Sequence, residues 1–290
     1  MYRVRLAPLV LMLASSVLVA EDKSKHKAAT PGEQYKALLK EHQDATEVFS
    51  KAYTEAMTDE ERKKVIANSP WDKFAPRFLE LAQKYPKDPV AVDALVWVLS
   101  DSSEAVGAKD SPRAKAITLL LRDHIRSDKL GSVCPRMRFD FAPESETFLR
   151  TVLERNPHQE VRALAYLALA QFLCNRLRLL DLVQDGPDLA KHYEGLFGKD
   201  YLEQLLQQDR AKVAKEAEVL FELAADKYRD VKIPRRGTVG EEAKSELFEI
   251  RHLAVGKEVP EIEGEDQNGK KFKLSDYRGK VVLLDFWSQF

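Results

Sequence analysis

Two cysteines are the residues best suited to chemistry in this sequence. Cys134 lies in GSVCPRM and Cys174 in LAQFLCNRL, and neither has a second cysteine at the spacing of a redox or zinc motif. In an oxidising compartment the two thiols could pair as a disulfide. Cys174 lies in an apolar run, however, where a cysteine commonly serves as a small buried residue. We favour this second interpretation for Cys174.

The histidines do not indicate a metal site. Six occur, at positions 26, 42, 124, 158, 192 and 252, without the short spacings at which histidines and cysteines bind a metal ion. Each is better explained as a surface residue or as a core residue with its hydrogen bonds satisfied. We therefore expect no metal site and no cofactor.

The last part of the sequence carries the strongest pattern. Asn268-Gly269 predicts a β-hairpin that joins EIEGED to KKFKLS. Lys280 then leads into VVLLDFW, a nearly unbroken apolar run that is typical of a central parallel strand covered on both faces. These features favour an α/β portion at the C-terminal end of a chain whose earlier part has few β-signals.

The order of VGKEVP, the hairpin and LSDYRGKVVLLDFW resembles the start of the thioredoxin-like domain of redoxins. Redoxins include the TlpA/ResA thiol-disulfide oxidoreductases and the AhpC/TSA peroxidase group. The resemblance covers residues 255–290 and implies that they form the N-terminal part of a thioredoxin-like domain. The matched positions are Gly256, Pro260, Gly269, Leu274, Gly279, Lys280, Asp285, Phe286 and Trp287.

The resemblance also assigns roles to single residues. In the family, the DFW strand is followed by two residues, an aromatic residue and then Cys-x-x-Cys at a helix N-terminus. The nucleophile is therefore expected immediately after Phe290, and no catalytic residue is present in the sequence. Asp285 matches a buried carboxylate that helps to move a proton to or from the second cysteine, and Trp287 matches a ring beside the active site. Asp285 could instead be a strand-end charge paired with Lys280 or Lys273.

Three explanations are open for a sequence that stops at Phe290. The gene could be truncated or frame-shifted, or the sequence could be a fragment. Alternatively, the next codon could be a UGA that encodes selenocysteine, whose selenol would serve as the nucleophile. The third explanation is a true short protein in which the helical region works alone. In each case we expect the 290 residues alone to be redox-inactive.

The sequence before residue 255 predicts α-helices. A capping side chain followed by proline, which marks a helix start, occurs at Ser69-Pro70, Asp88-Pro89, Ser111-Pro112 and Asn156-Pro157. The apolar segment 163–174 predicts a central buried helix that is too short to span a bilayer. FLELAQKYP, FLRTVLERNP and ELAADKYRD recur at near multiples of about 35 residues. Stacked helical hairpins of the tetratricopeptide type and an irregular helical bundle are therefore both open.

The first twenty residues have the order of a secretory signal: MYRVR is cationic, an uncharged run follows, and Ala20 precedes the charged EDKSKHK. We expect export to the periplasm or another extracytoplasmic compartment, with membrane contact only through an uncleaved N-terminal segment. The predicted organisation is a signal peptide (1–20), a charged linker (21–30), a helical domain (31–230), a linker with a last helix (231–254) and the incomplete redoxin domain (255–290).

Two classes of function follow, together with a variant of the first. The resemblance implies an exported thiol-disulfide oxidoreductase with a helical scaffold, acting on protein thiols or disulfides if the redoxin domain is complete. The variant is an antioxidant peroxidase of the AhpC/TSA type. The second class is a non-enzymatic helical-repeat protein that binds a protein partner and carries a vestigial redoxin segment. Lys and Arg total 46 against 47 for Asp and Glu, so we expect no nucleic-acid partner.

Overall fold

The computed structural model describes residues 29–101, 110–139, 142–254 and 256–285. The predicted signal peptide at 1–20 lies outside these residues. Within them the chain is mainly α, as the sequence predicts. The helices are α1 (Pro31–Glu55), α2 (Asp59–Ile66), α3 (Trp71–Lys84), α4 (Pro89–Asp101), α5 (Pro112–Asp123), α6 (Cys134–Met137), α7 (Pro143–Arg155), α8 (Gln159–Asp185), α9 (Pro187–Phe197), α10 (Lys199–Leu206), α11 (Arg210–Lys227) and α12 (Val239–Phe248).

Two of the four predicted helix starts are confirmed at the proline. Helix α5 begins at Pro112 with Ser111 as its cap, and helix α4 begins at Pro89. Helix α3 begins one residue after Pro70, and α8 begins two residues after Pro157.

The late start of α8 follows from the hydrogen bonds that Asn156 makes in the preceding loop. The side-chain Oδ1 atom of Asn156 accepts from the backbone N–H of His158 at 2.9 Å. Its amide nitrogen donates to the carbonyl oxygens of Ile125 (2.7 Å) and Ser127 (2.8 Å). Asn156 therefore ties two loops together and leaves the cap of α8 to His158.

Several helices pack against each other in pairs that we call hairpins, within the mainly helical fold that both open alternatives predict. Helix α3 packs against α4, α7 against α8, and α11 against both α8 and α12. The recurring sequence segments fall near the end of the first helix of each hairpin, where Phe78, Phe148 and Phe221 are fully buried. The larger of two apolar clusters in the described residues runs from Leu38 to Leu247 through these hairpins, and the smaller one contains Leu179, Val183 and Leu202.

Helix α8 contains the apolar segment 163–174 and lies at the centre of this core, as predicted. It contacts α6, α7, α9, α11 and α12. By length and composition it is the one helix of the described residues that could cross a membrane. However, 67% of its apolar stretch is buried inside the protein, which is the pattern of a core helix.

A cluster of charged side chains joins α7, α8 and α11. The Arg176 side chain, only 3% exposed, donates to Glu146 at 2.5 Å, and Arg150 bridges Glu146 (2.7 Å) and Glu216 (2.6 Å). Burial alone would raise the pKa of Glu146, but the charge of Arg176 and the hydrogen bonds from Arg150 and Arg176 outweigh it. The pKa of Glu146 is therefore held below its usual value.

Residues 231–254 continue the helical core. Strand β1 (Lys232–Ile233) pairs antiparallel with β2 (Gly237–Thr238), and a capping box between Thr238 and Glu241 begins α12. Val239, Ala243 and Leu247 of α12 are buried in the main core. Gly240 lies against the neighbouring backbone, because a Cβ atom placed there would come within 2.7 Å of the Arg229 Cα atom.

A π-helical turn, Glu249–Leu253, follows α12 and is held by ion pairs. Arg251 donates to Glu218 at 2.7 Å and also pairs with Glu222, both on α11. Arg178 on α8 pairs with Glu249 at 2.5 Å. We call this set of contacts the Arg251 clamp. It fixes the chain to the helical core just before the C-terminal segment, although the proposed domain boundaries themselves stay a prediction.

Candidate functional site

The predicted C-terminal hairpin is confirmed. Strand β3 (Glu263–Glu265) pairs antiparallel with β4 (Lys271–Lys273). In the connecting loop the Asp266 carboxylate accepts from the backbone N–H groups of Asn268 (2.8 Å) and Lys270 (2.9 Å). Gly269 has a φ of 75°, a conformation that glycine adopts without steric cost. The Gly269 N–H donates to the backbone carbonyl oxygen of Asp266 at 2.9 Å, so Asn268-Gly269 forms the second half of a turn that begins at Asp266.

The strand predicted for VVLLDFW is absent from residues 281–285, so that prediction is wrong for the part that the structure describes. Val281 and Leu283 are almost completely exposed, and Val282 and Leu284 are about half exposed. A central strand needs a hydrogen-bonded neighbour on each side. The only strands in the described residues form two separate two-stranded pairs, and neither of them offers residues 281–285 a partner.

The structure does not assemble the supporting residues around a redox centre. Asp285 is exposed, whereas the resemblance implies a buried carboxylate at this position. Trp287 and Phe290 lie outside the described residues. In the part of the chain that the structure describes, the alternative pairing of Asp285 with Lys280 or Lys273 is also not formed. Lys273 instead pairs with Glu263 at 2.5 Å, and this hydrogen bond raises the pKa of Lys273.

The two cysteines are free thiols on different elements, so the disulfide considered above is not formed. Cys134 on α6 is fully buried, and its Sγ atom donates to the carbonyl oxygen of Leu130 at 3.3 Å. Burial raises its pKa to about 12. Cys174 on α8 is half-buried, and burial followed by the negative charge of Glu246 raises its pKa to about 11. Both thiols are therefore mostly protonated at neutral pH, which lowers their reactivity because the thiolate is the attacking species.

We expect iodoacetamide to alkylate native Cys174 at pH 8 about 100-fold more slowly than a free thiol, because only the thiolate reacts. Cys134 should remain unmodified over the same period, since no solvent reaches its sulfur. Peptide mass spectrometry of timed samples measures both rates. In denaturant, both thiols should react at the rate of an unperturbed cysteine. A native Cys174 rate within tenfold of the free thiol would contradict the burial described here.

A comparison with known families identifies the likeness of the C-terminal segment. The AhpC/TSA family model matches residues 255–290. This match covers the β3–β4 hairpin and residues 281–285. We call residues 255–290 the AhpC/TSA segment, and the match supports a redoxin-like character for it. No curated protein and no solved structure matches the chain.

Elsewhere, the structure contains a cavity that the sequence did not reveal. It lies along α8, has a volume of about 510 Å³ and is lined by residues of three separate segments, between positions 128–138, 160–171 and 233–242. We call it the α8 groove. No motif marks it, because its lining residues come together only in the folded chain. In the described residues, no cluster of three or more His, Cys, Asp or Glu side chains could hold a metal ion.

Proposed function

We propose that this protein is an exported thiol-disulfide oxidoreductase of the redoxin class, with the helical core as a scaffold. The observation that carries the proposal is the match of the AhpC/TSA family model to residues 255–290. The Arg251 clamp supports the scaffold role, because it ties the chain to the core immediately before that segment. Support for export is the signal-like order of residues 1–20.

In the proposed reaction, a thiolate or selenolate directly after Phe290 attacks a disulfide sulfur of a client protein. The attack forms a mixed disulfide and releases one client thiol. The thiolate of the second cysteine of the Cys-x-x-Cys pair then attacks the mixed disulfide, which releases the second client thiol and leaves the enzyme pair oxidised. Asp285 and Trp287 would support this site once the remaining strands of the domain cover them.

Neither cysteine of the helical core can replace this nucleophile at neutral pH. With pKa values of about 12 and about 11, Cys134 and Cys174 are almost entirely protonated. Attack on a disulfide requires the thiolate, so a protein without the expected Cys-x-x-Cys lacks a competent group.

The first test is the nucleotide sequence beyond the Phe290 codon. We expect a Cys codon, or a UGA codon for selenocysteine, followed in frame by two codons and a second Cys codon. The corresponding longer protein should reduce insulin disulfides, whereas residues 1–290 should not. A double variant, Cys134→Ser with Cys174→Ser, serves as the control in both lengths. It should leave the activity of the longer protein unchanged.

Two results would overturn the proposal. One is insulin reduction by residues 1–290 above their double-serine control, which would place the chemistry in the helical core. The other is a reading frame beyond Phe290 with no cysteine or selenocysteine at the expected positions. A longer protein that consumes peroxide and does not reduce insulin would instead assign the peroxidase chemistry of the AhpC/TSA group.

The α8 groove favours a second candidate function, which is binding of a protein partner by the helical core. This function does not depend on the redox chemistry.

A further inference from the structure

The floor of the α8 groove is apolar. Val161, Leu164, Leu167 and Ala168 come from α8, and residues 135, 233 and 234 add two prolines and an isoleucine to its walls. Arg236 and Glu242, which also line the groove, neutralise each other at 3.1 Å. Apolar surface that remains open along a core helix favours the burial of apolar side chains from a ligand.

One end of the groove is acidic. Glu160 lies in the first turn of α8, and Asp128 lines the groove beside it. The loop before Asp128 is tied to the start of α8, because a ring nitrogen of His158 lies 3.1 Å from the carbonyl oxygen of Arg126. Among the residues that the structure describes, no cation forms an ion pair with Asp128 or Glu160.

The other end of the groove is basic. The Asn175 amide nitrogen donates to the Arg138 carbonyl oxygen at 3.0 Å, so Arg138 lies one helical turn beyond Gln171. Its guanidinium group stacks on the ring of Phe139, 4.4 Å from the centroid, and no carboxylate of the described part of the chain pairs with it. The Arg138 Nε atom is buried without a hydrogen-bond partner. The terminal N–H groups of a guanidinium that stacks on a ring can still bind a carboxylate.

The two ends are separated by the length of a short peptide. Glu160 and Gln171 lie about 16 Å apart along the helix axis, at 1.5 Å per residue. An extended chain covers this distance with about five residues. Opposite unpaired charges at the two ends of an apolar floor fit an elongated ligand that carries opposite charges at its own ends.

We propose that the α8 groove binds a short extended peptide segment of another protein. The apolar side chains of the peptide lie on the floor formed by α8. A cationic side chain at one end of the peptide lies beside Asp128 and Glu160, and an anionic side chain at its other end pairs with Arg138. This proposal goes beyond the redox function and does not depend on it, because no residue of the AhpC/TSA segment lines the groove.

Fluorescence polarisation with labelled five-residue peptides tests the proposal on the full chain. The first peptide has blocked termini, arginine at one end, aspartate at the other and three leucines between. It should bind saturably. Ser132→Trp, which places an indole into the groove from an exposed position, should weaken binding at least tenfold. Arg138→Glu should weaken it about fivefold, the range of one exposed ion pair.

Charge rescue separates recognition from a structural effect. A second peptide with arginine at both ends should bind Arg138→Glu better than it binds the wild type, which a folding defect cannot produce. Arg155→Glu is the matched control, because Arg155 is an exposed arginine on α7 outside the groove. It should leave both affinities unchanged. Circular dichroism establishes that each variant is folded.

Three results would overturn the proposal. The first is no binding of either peptide at about 1 mM, the weak limit of specific recognition. The second is binding that Ser132→Trp and Arg138→Glu leave unchanged, which places the peptide elsewhere. The third is self-association of the chain that Ser132→Trp abolishes, which assigns the groove to a second copy of the protein.

Discussion

Replacing Glu146 by alanine is expected to lower the free energy of unfolding by about 3 kcal/mol. Arg176 is 3% exposed, and Glu146 is the only carboxylate of the described residues that pairs with it. Removal of one member of a buried ion pair typically costs about 3–5 kcal/mol, because the remaining charge is left buried without compensation. The Glu146 side chain is 22% exposed, which favours the lower end of this range.

Urea unfolding followed by circular dichroism measures the change, and Glu154→Ala is the matched control. Glu154 lies on the same helix with 72% of its side chain exposed, so its replacement should change stability by less than about 0.5 kcal/mol. A combined Glu146→Leu and Arg176→Met variant should recover most of the lost stability, since no buried charge remains. Equal effects of Glu146→Ala and Glu154→Ala would contradict the proposed importance of the pair.

The contribution of Glu146 also depends on pH in a defined direction. Its pKa in the folded protein is held below the usual value of 4.5. The unfolded chain therefore binds the proton more readily, and the stabilisation is fully present above about pH 5. It should be lost as the pH falls from there through the lowered pKa, and the Glu146→Ala variant should show a smaller loss over the same range.

Replacing Gly240 by alanine is expected to destabilise the protein by about 3 kcal/mol. The added Cβ atom would lie 2.7 Å from the Arg229 Cα atom and 2.8 Å from its carbonyl oxygen. These neighbours are backbone atoms, so they cannot move aside as a flexible side chain would. Helix α12 would have to shift away from the core, which is the cost of overpacking a well-packed site.

Gly195→Ala provides the control for this substitution. Gly195 lies within α9, and a Cβ atom there meets no other atom within 4 Å. Alanine should therefore raise stability by up to about 1 kcal/mol through its better helix propensity. Both variants are compared by their midpoints of urea unfolding. A Gly240→Ala variant as stable as the wild type would show that α12 accommodates the methyl group without loss of packing.

The helical part of the fold could be predicted because its signals are local. A capping residue followed by proline specifies a helix start within two or three residues, and this was correct for Pro89 and Pro112. Asn156 shows the limit of such signals. Its side-chain nitrogen donates hydrogen bonds to backbone carbonyl groups about 30 positions earlier in the chain. No local pattern reveals that these bonds compete with a role as helix cap.

The features that depend on distant residues could not be predicted in the same way. The pair of Arg176 and Glu146 and the α8 groove both arise from packing between separate segments. For residues 281–285, in contrast, a local signal is present but predicts the wrong structure. Their apolar types indicate a strand, but a strand forms only when neighbours supply its hydrogen bonds, and these are absent among the described residues.

The exposed residues 281–284 have a consequence for biosynthesis. Among the described residues, the last apolar residue that packs on the main core is Ile250, about 30 positions before Val281. At about 5–20 residues per second, a ribosome takes about 2–6 s to add this interval. Helical proteins with mainly local contacts fold in microseconds to milliseconds. Most of the core is therefore free to fold before the apolar residues emerge from the ribosome, which limits their trapping among its unfolded helices.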